Sequence, residues 1–86
     1  MAEREGAEVE ADLLRAVAAA AIEAARRRAG VARKELAERA GVSPARVTQV
    51  LSGRQNMELR TLARFGAAIG VRFTVRAVRP SERRKT

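Results

Sequence analysis

The stretch ERAGVSPARVTQVLSG, residues 38–53, breaks a helical pattern at its middle. Leu36, Ala37, Ala40, Val47, Val50 and Leu51 recur at helical spacing, yet Gly41 and Pro44 stand among them. A glycine adopts the left-handed backbone conformation at little steric cost, so Gly41 stops a helix predicted over about 33–40 and turns the chain sharply. Ser43 offers an oxygen to cap the next helix, and Pro44 suits its first position because the missing N–H would have lacked a partner there. Val47, Val50 and Leu51 form the inner face of this helix, 44–51, which Ser52-Gly53 ends. Ala37 is small enough to let the two helices approach closely. Two short helices locked at a steep angle by a glycine turn make a helix-turn-helix.

Upstream, Leu14, Ala18, Ile22, Ala25 and Ala29 share one helical face, and the run of alanines favours helix strongly. Asp12 serves as a cap or first-turn acid, and ARRRAG closes the element with cations at the negative end of the dipole before a glycine stop. A first helix is predicted over 10–28, behind an acidic, disordered leader at 1–9. Downstream, Leu59, Leu62, Phe65 (or Gly66) and Ile69 mark a fourth helix over about 58–69, terminated by Gly70. The period then changes to two: Val71, Phe73, Val75 and Ala77 alternate with Arg72, Thr74, Arg76 and Val78, which predicts a strand over 71–79. No second strand is readable, so its backbone groups must pair with another molecule or stay at a solvated edge. Residues 80–86 read as a basic disordered tail.

Eighty-six residues make one small domain, whose core is marginal unless the chain oligomerises. With no cysteine and no histidine, disulfides, thiolate metal sites, a Cys or His nucleophile and imidazole acid–base chemistry are excluded by inventory. The remaining acids are scattered over solvent-facing helix positions, and no phosphate-cradling glycine loop is present, so the chain does not read as an enzyme and no cofactor, metal or small-molecule ligand is expected. No apolar tract reaches membrane-spanning length, and a soluble, cytoplasmic protein is expected.

The charge is divided along the chain. The net value is +8, but residues 1–12 hold Glu3, Glu5, Glu8, Glu10 and Asp12 against Arg4 alone, leaving the rest about +12 from 17 bases against 5 acids. A body that basic attracts polyanions. With two Phe and neither Tyr nor Trp, it lacks a stacking platform for single-stranded bases, which favours double-stranded DNA.

Residues 30–71, with KELAERAGVS, VTQVLSG and LRTLARFGAAIGV, resemble the Cro/CI-like, or Xre-type, helix-turn-helix family. The resemblance implies a mostly α fold: a compact four-to-five-helix, lambda-repressor-like DNA-binding domain, often dimeric, found in regulators and antitoxins. This chain has Ala32 where the family places a side-chain cap.

In a helix-turn-helix the second helix enters the major groove N-terminus first. Here it would present Pro44, Ala45, Arg46, Thr48 and Gln49 to base edges: Arg46 to guanine O6 and N7, Gln49 to adenine N6 and N7, Pro44 and Ala45 to a thymine methyl. Ser43 serves as cap or phosphate donor, and Arg33 adds a cation to the exposed N–H groups at the start of the preceding helix. The resemblance adds Arg26, Arg54, Gln55 and Asn56 as phosphate contacts. The strand is expected to pair with its two-fold mate through Val71, Phe73, Val75 and Ala77, with Leu13 and Leu14 covering the ribbon. Such a dimer would read a pseudo-palindromic operator as a repressor; the alternative is an antitoxin that binds a toxin and autoregulates its operon.

Overall fold

In the computed structural model, which describes residues 2–79, Gly41 lies at φ 72°, ψ 34°, the left-handed conformation. Its N–H donates to the Glu38 carbonyl at 3.3 Å and that of Val42 to the Ala37 carbonyl at 3.0 Å, which satisfies the last carbonyls of the helix before it. Two residues on, Ser43 is extended, its Oγ accepts from the Arg46 N–H at 3.1 Å, and Pro44 opens the next helix. The turn is therefore fixed from both sides, by backbone bonds before it and a side-chain cap after it. Four helices result: α1 Ala2–Ala29, α2 Arg33–Ala40, α3 Pro44–Leu51 and α4 Leu59–Ile69. The bounds of α2 and α3 agree with the sequence reading; α4 starts one residue later, with Glu58 as its cap residue.

Ile22 and Ala25 of α1, Val31 of the loop after it, Leu36, Ala37 and Ala40 of α2, Val47 and Val50 of α3, and Phe65 and Ile69 of α4 form one buried cluster. Ile22, Leu36, Val47 and Phe65 are fully enclosed, each worth about 1.5–3 kcal/mol relative to exposure. α2 packs on α3 and α4, and α1 on both of the latter. The helix-turn-helix thus rests on a floor made by α1 and α4, which holds α3 rigidly at the surface.

Two expectations need correction. Residues 2–9 belong to α1 instead of a disordered leader. Alanine and glutamate are strong helix formers, and glutamates near an N-terminus meet the positive end of the helix dipole, so local propensity outweighs the charge that suggested disorder. The second concerns residues 71–79, where no strand forms; among the described residues there is no β-ladder. The Val71 N–H turns back to the Gly66 carbonyl at 2.8 Å, and among the described residues no second strand lies beside the segment to complete a ladder. Phe73, expected at the dimer contact, is instead half-buried against the protomer's own core. The basic tail, 80–86, lies outside the described residues.

Candidate nucleic-acid interface

The period of α3 assigns its side chains. Val47 and Val50 point inward, so Pro44, Ala45, Thr48 and Gln49 are left exposed and Arg46 half-exposed on the opposite side. The side chains of these residues make no hydrogen bond or ion pair among the described residues; only their backbone is engaged, the Arg46 N–H by the Ser43 cap and the Gln49 carbonyl by Ser52. A guanidinium, a carboxamide and a hydroxyl therefore stand on one solvent-facing surface, backed by a locked helix.

The loop after α3 is held to it. Ser52 donates its hydroxyl to the Gln49 carbonyl at 2.7 Å and accepts the Arg54 N–H at 3.2 Å. Arg54, Gln55 and Asn56 follow, all exposed. Asn56 is fixed from α1: Arg15 donates to its Oδ1 at 2.6 Å while also pairing with Asp12. With Oδ1 occupied, the Asn56 amide N–H groups are left to face outward, the polarity that a phosphate needs. Gly53 stands at φ 72°, a left-handed backbone conformation that favours glycine, and a Cβ there would make only ordinary contact with α1, at 3.4 Å from Ala16 Cα and Ala19 Cβ. Sequence reasoning missed Arg15, because its partner lies 41 residues away and no local pattern links them.

At the other flank a four-residue ion cluster ties α1 to α2. Glu23 accepts from Arg26 at 3.1 and 2.5 Å and from Arg27 at 3.0 Å, with Arg33 at 3.7 Å. Arg26 also donates to the Val31 carbonyl at 2.9 Å, and its side chain is only 14% exposed. The Arg26 hydrogen bonds, opposed by partial burial and helped by the Arg26 charge, a hydrogen bond from Arg27 and the charge of Arg33, hold the Glu23 carboxyl down at about 2; Arg26 is raised in turn by Glu23. Arg26, expected at a phosphate, is thus engaged within the protein as a clasp between Glu23 and the Val31 carbonyl. Arg33 is half-exposed at the uncapped start of α2, where Ala32 supplies no side-chain bond. Arg39, which the sequence did not single out, pairs with Glu35 and donates to the Ala68 carbonyl at 3.1 Å, satisfying the end of α4.

Of the four residues expected at a dimer contact, Val71, Val75 and Ala77 are exposed and Phe73 is not. Among the described residues no three acidic, histidine or cysteine side chains gather as a metal cluster, and no helix is long and apolar enough to cross a membrane.

Two helices joined by a glycine turn, the second with its polar face free, define a helix-turn-helix module of the DNA-binding class. Residues 17–79 match the helix-turn-helix domain family, and the chain belongs to it, in agreement with the Cro/CI-like resemblance of its sequence. No curated protein and no solved structure matches the chain.

Proposed function

We propose that this protein is a sequence-specific regulator of transcription that binds double-stranded DNA, a homodimeric repressor reading a pseudo-palindromic operator through α3. The observation that carries the reading is the free face of α3: Arg46, Thr48 and Gln49 beside the small apolar Pro44 and Ala45, on a helix whose other side is locked in the core. That set contains donors for guanine, a bidentate partner for adenine and surface for a thymine methyl. Arg33, Ser43, Arg54, Gln55 and Asn56 flank it as phosphate contacts, with Arg26 excluded by its bonds to Glu23 and Val31. In this reading residues 10–70 are the DNA-binding unit and 71–79 a dimerisation segment, with Val71, Val75 and Ala77 exposed to a two-fold mate.

Selection of bound DNA from a random pool at stated salt tests this. A palindromic enriched site supports it, and the half-site separation gives the dimer spacing. An unchanged footprint after Arg46→Ala and Gln49→Ala together would remove α3 as the reading element. An antitoxin role is the second reading, favoured by the exposed apolar side chains of Leu14, Val17, Leu59 and Val75; co-purification of a toxin with the native chain decides for it.

A further inference from the structure

α1 is apolar on two sides. Ala19, Ile22 and Ala25 enter the core, whereas Leu13, Val17, Ala20 and Ala24, at spacings of four, three and four on the reverse side of the helix, are all exposed. The two charged side chains between positions 13 and 24 are both drawn to the flanks, Arg15 by Asp12 and Asn56 and Glu23 by Arg26 and Arg27. The outer face is left uncharged for about three turns, where a surface helix ordinarily carries its polar residues. Leu13 and Val17 are 41% and 54% exposed there.

We propose that a second copy of this chain docks on this face, the two α1 helices lying antiparallel with Val17 near the two-fold axis. The four-three-four spacing is that of a helix-pairing seam, and Ala20 and Ala24 permit close approach. Charge decides the partner and the direction. Glu5, Glu8, Glu10 and Asp12 crowd one end of α1 with no base among residues 5–12, and Arg27 and Arg28 stand exposed at the other. Parallel pairing would set like against like; antiparallel pairing sets each acidic end beside the partner's basic end and opposes the two helix dipoles. Matching the acids about residue 9 to the arginines about residue 27 places the axis near Val17.

The face also continues into a groove of about 590 Å³, where Leu14 and Val17 meet Leu59, Leu62, Phe73 and Val75. A copy seated on α1 therefore reaches the C-terminal segment as well, and one axis serves both surfaces. Residues 80–86, with no apolar side chain after Pro80, do not have the chemistry to fill the groove. The inference rests on the homodimer reading above and names the surface that forms the dimer.

Because the chain has no cysteine, single cysteines report the geometry directly. In the full-length protein, sedimentation equilibrium should give a dimer, Val17→Cys should link to its own copy under mild oxidation, and Glu5→Cys should not. Val17→Glu, at an exposed position, should leave the fold intact by circular dichroism and weaken dimerisation at least about tenfold. A dimer in which Val17→Cys fails to link overturns this surface but not the homodimer; linking of both cysteines overturns the antiparallel direction. A chain that stays monomeric, or whose α1 face is protected by a co-purifying toxin, overturns the homodimer reading itself.

Discussion

Gly66 is buried in α4, and a Cβ built there would stand 2.9 Å from the Val71 carbonyl oxygen and 3.1 Å from the Phe73 ring. The absence of a side chain is what lets the chain fold back after Gly70 and lay Phe73 over the helix. Gly66→Ala puts a methyl group against backbone, which cannot rotate away, so a loss of about 1–3 kcal/mol is expected in denaturant unfolding. An unaltered midpoint would mean that the 71–79 segment yields freely. Gly41→Ala differs in kind: nothing lies within 4 Å of its Cβ position, and only the left-handed backbone opposes it. About 1–2 kcal/mol is expected there. Arg46→Ala should do neither. Its side chain has no partner among the described residues, so melting should stay within about 0.5 kcal/mol of wild type while discrimination at one base pair falls by about 1–3 kcal/mol.

Among the elements, the join of α1 to α2 depends on a carboxylate. The Glu23 carboxyl is held at about 2, below its ordinary value, chiefly by hydrogen bonds from Arg26. A group whose folded value is depressed contributes stability that is full above its unfolded value, about 4.3, and is lost as pH falls toward the folded one. Stability should therefore drop between about pH 4.5 and 2, and Glu23→Gln should flatten that limb of a melting-temperature profile while lowering stability at neutral pH. A wild-type profile that stays level across the window would show that the cluster adds nothing. None of this clasp was legible beforehand, although α2 and α3 were, to the residue. Gly41, Ser43 and Pro44 act through the backbone of their own neighbours, so local order in the chain suffices to read them. Glu23 carries no reading in the sequence and Arg26 reads there as a phosphate contact; what ties Arg26 inward is Glu23 one turn back and the Val31 carbonyl beyond a turn. The Arg15–Asn56 bond and the seat of Phe73 over Gly66 depend wholly on tertiary folding, and the alternation of 71–79 specifies a ribbon that one chain cannot complete.

On the scale of the whole molecule, the unequal distribution of charge determines how DNA affinity responds to salt. Beyond residue 12 the chain carries 17 bases against 5 acids, so phosphate contacts are expected to supply much of the binding free energy. With about six phosphates neutralised per dimer, the logarithm of affinity should fall with that of salt at a slope of roughly −5, and each contact removed should reduce that slope by about 0.9 per half-site. Arg54 and Arg26 make the decisive pair. Arg54 is exposed in the loop after α3, whereas Arg26 is bonded to Glu23 and to the Val31 carbonyl. Arg54→Ala should lower the salt slope with no change in melting temperature. Arg26→Ala should lower the melting temperature, because it frees a half-buried carboxylate and a carbonyl together, yet leave the slope of the folded protein where it was. Titrations of a labelled operator at several salt concentrations, beside thermal melts of the same two variants, separate the roles. If the Arg26 variant loses slope as the Arg54 variant does, its guanidinium leaves Glu23 for a phosphate when DNA binds, and the clasp must open in the complex.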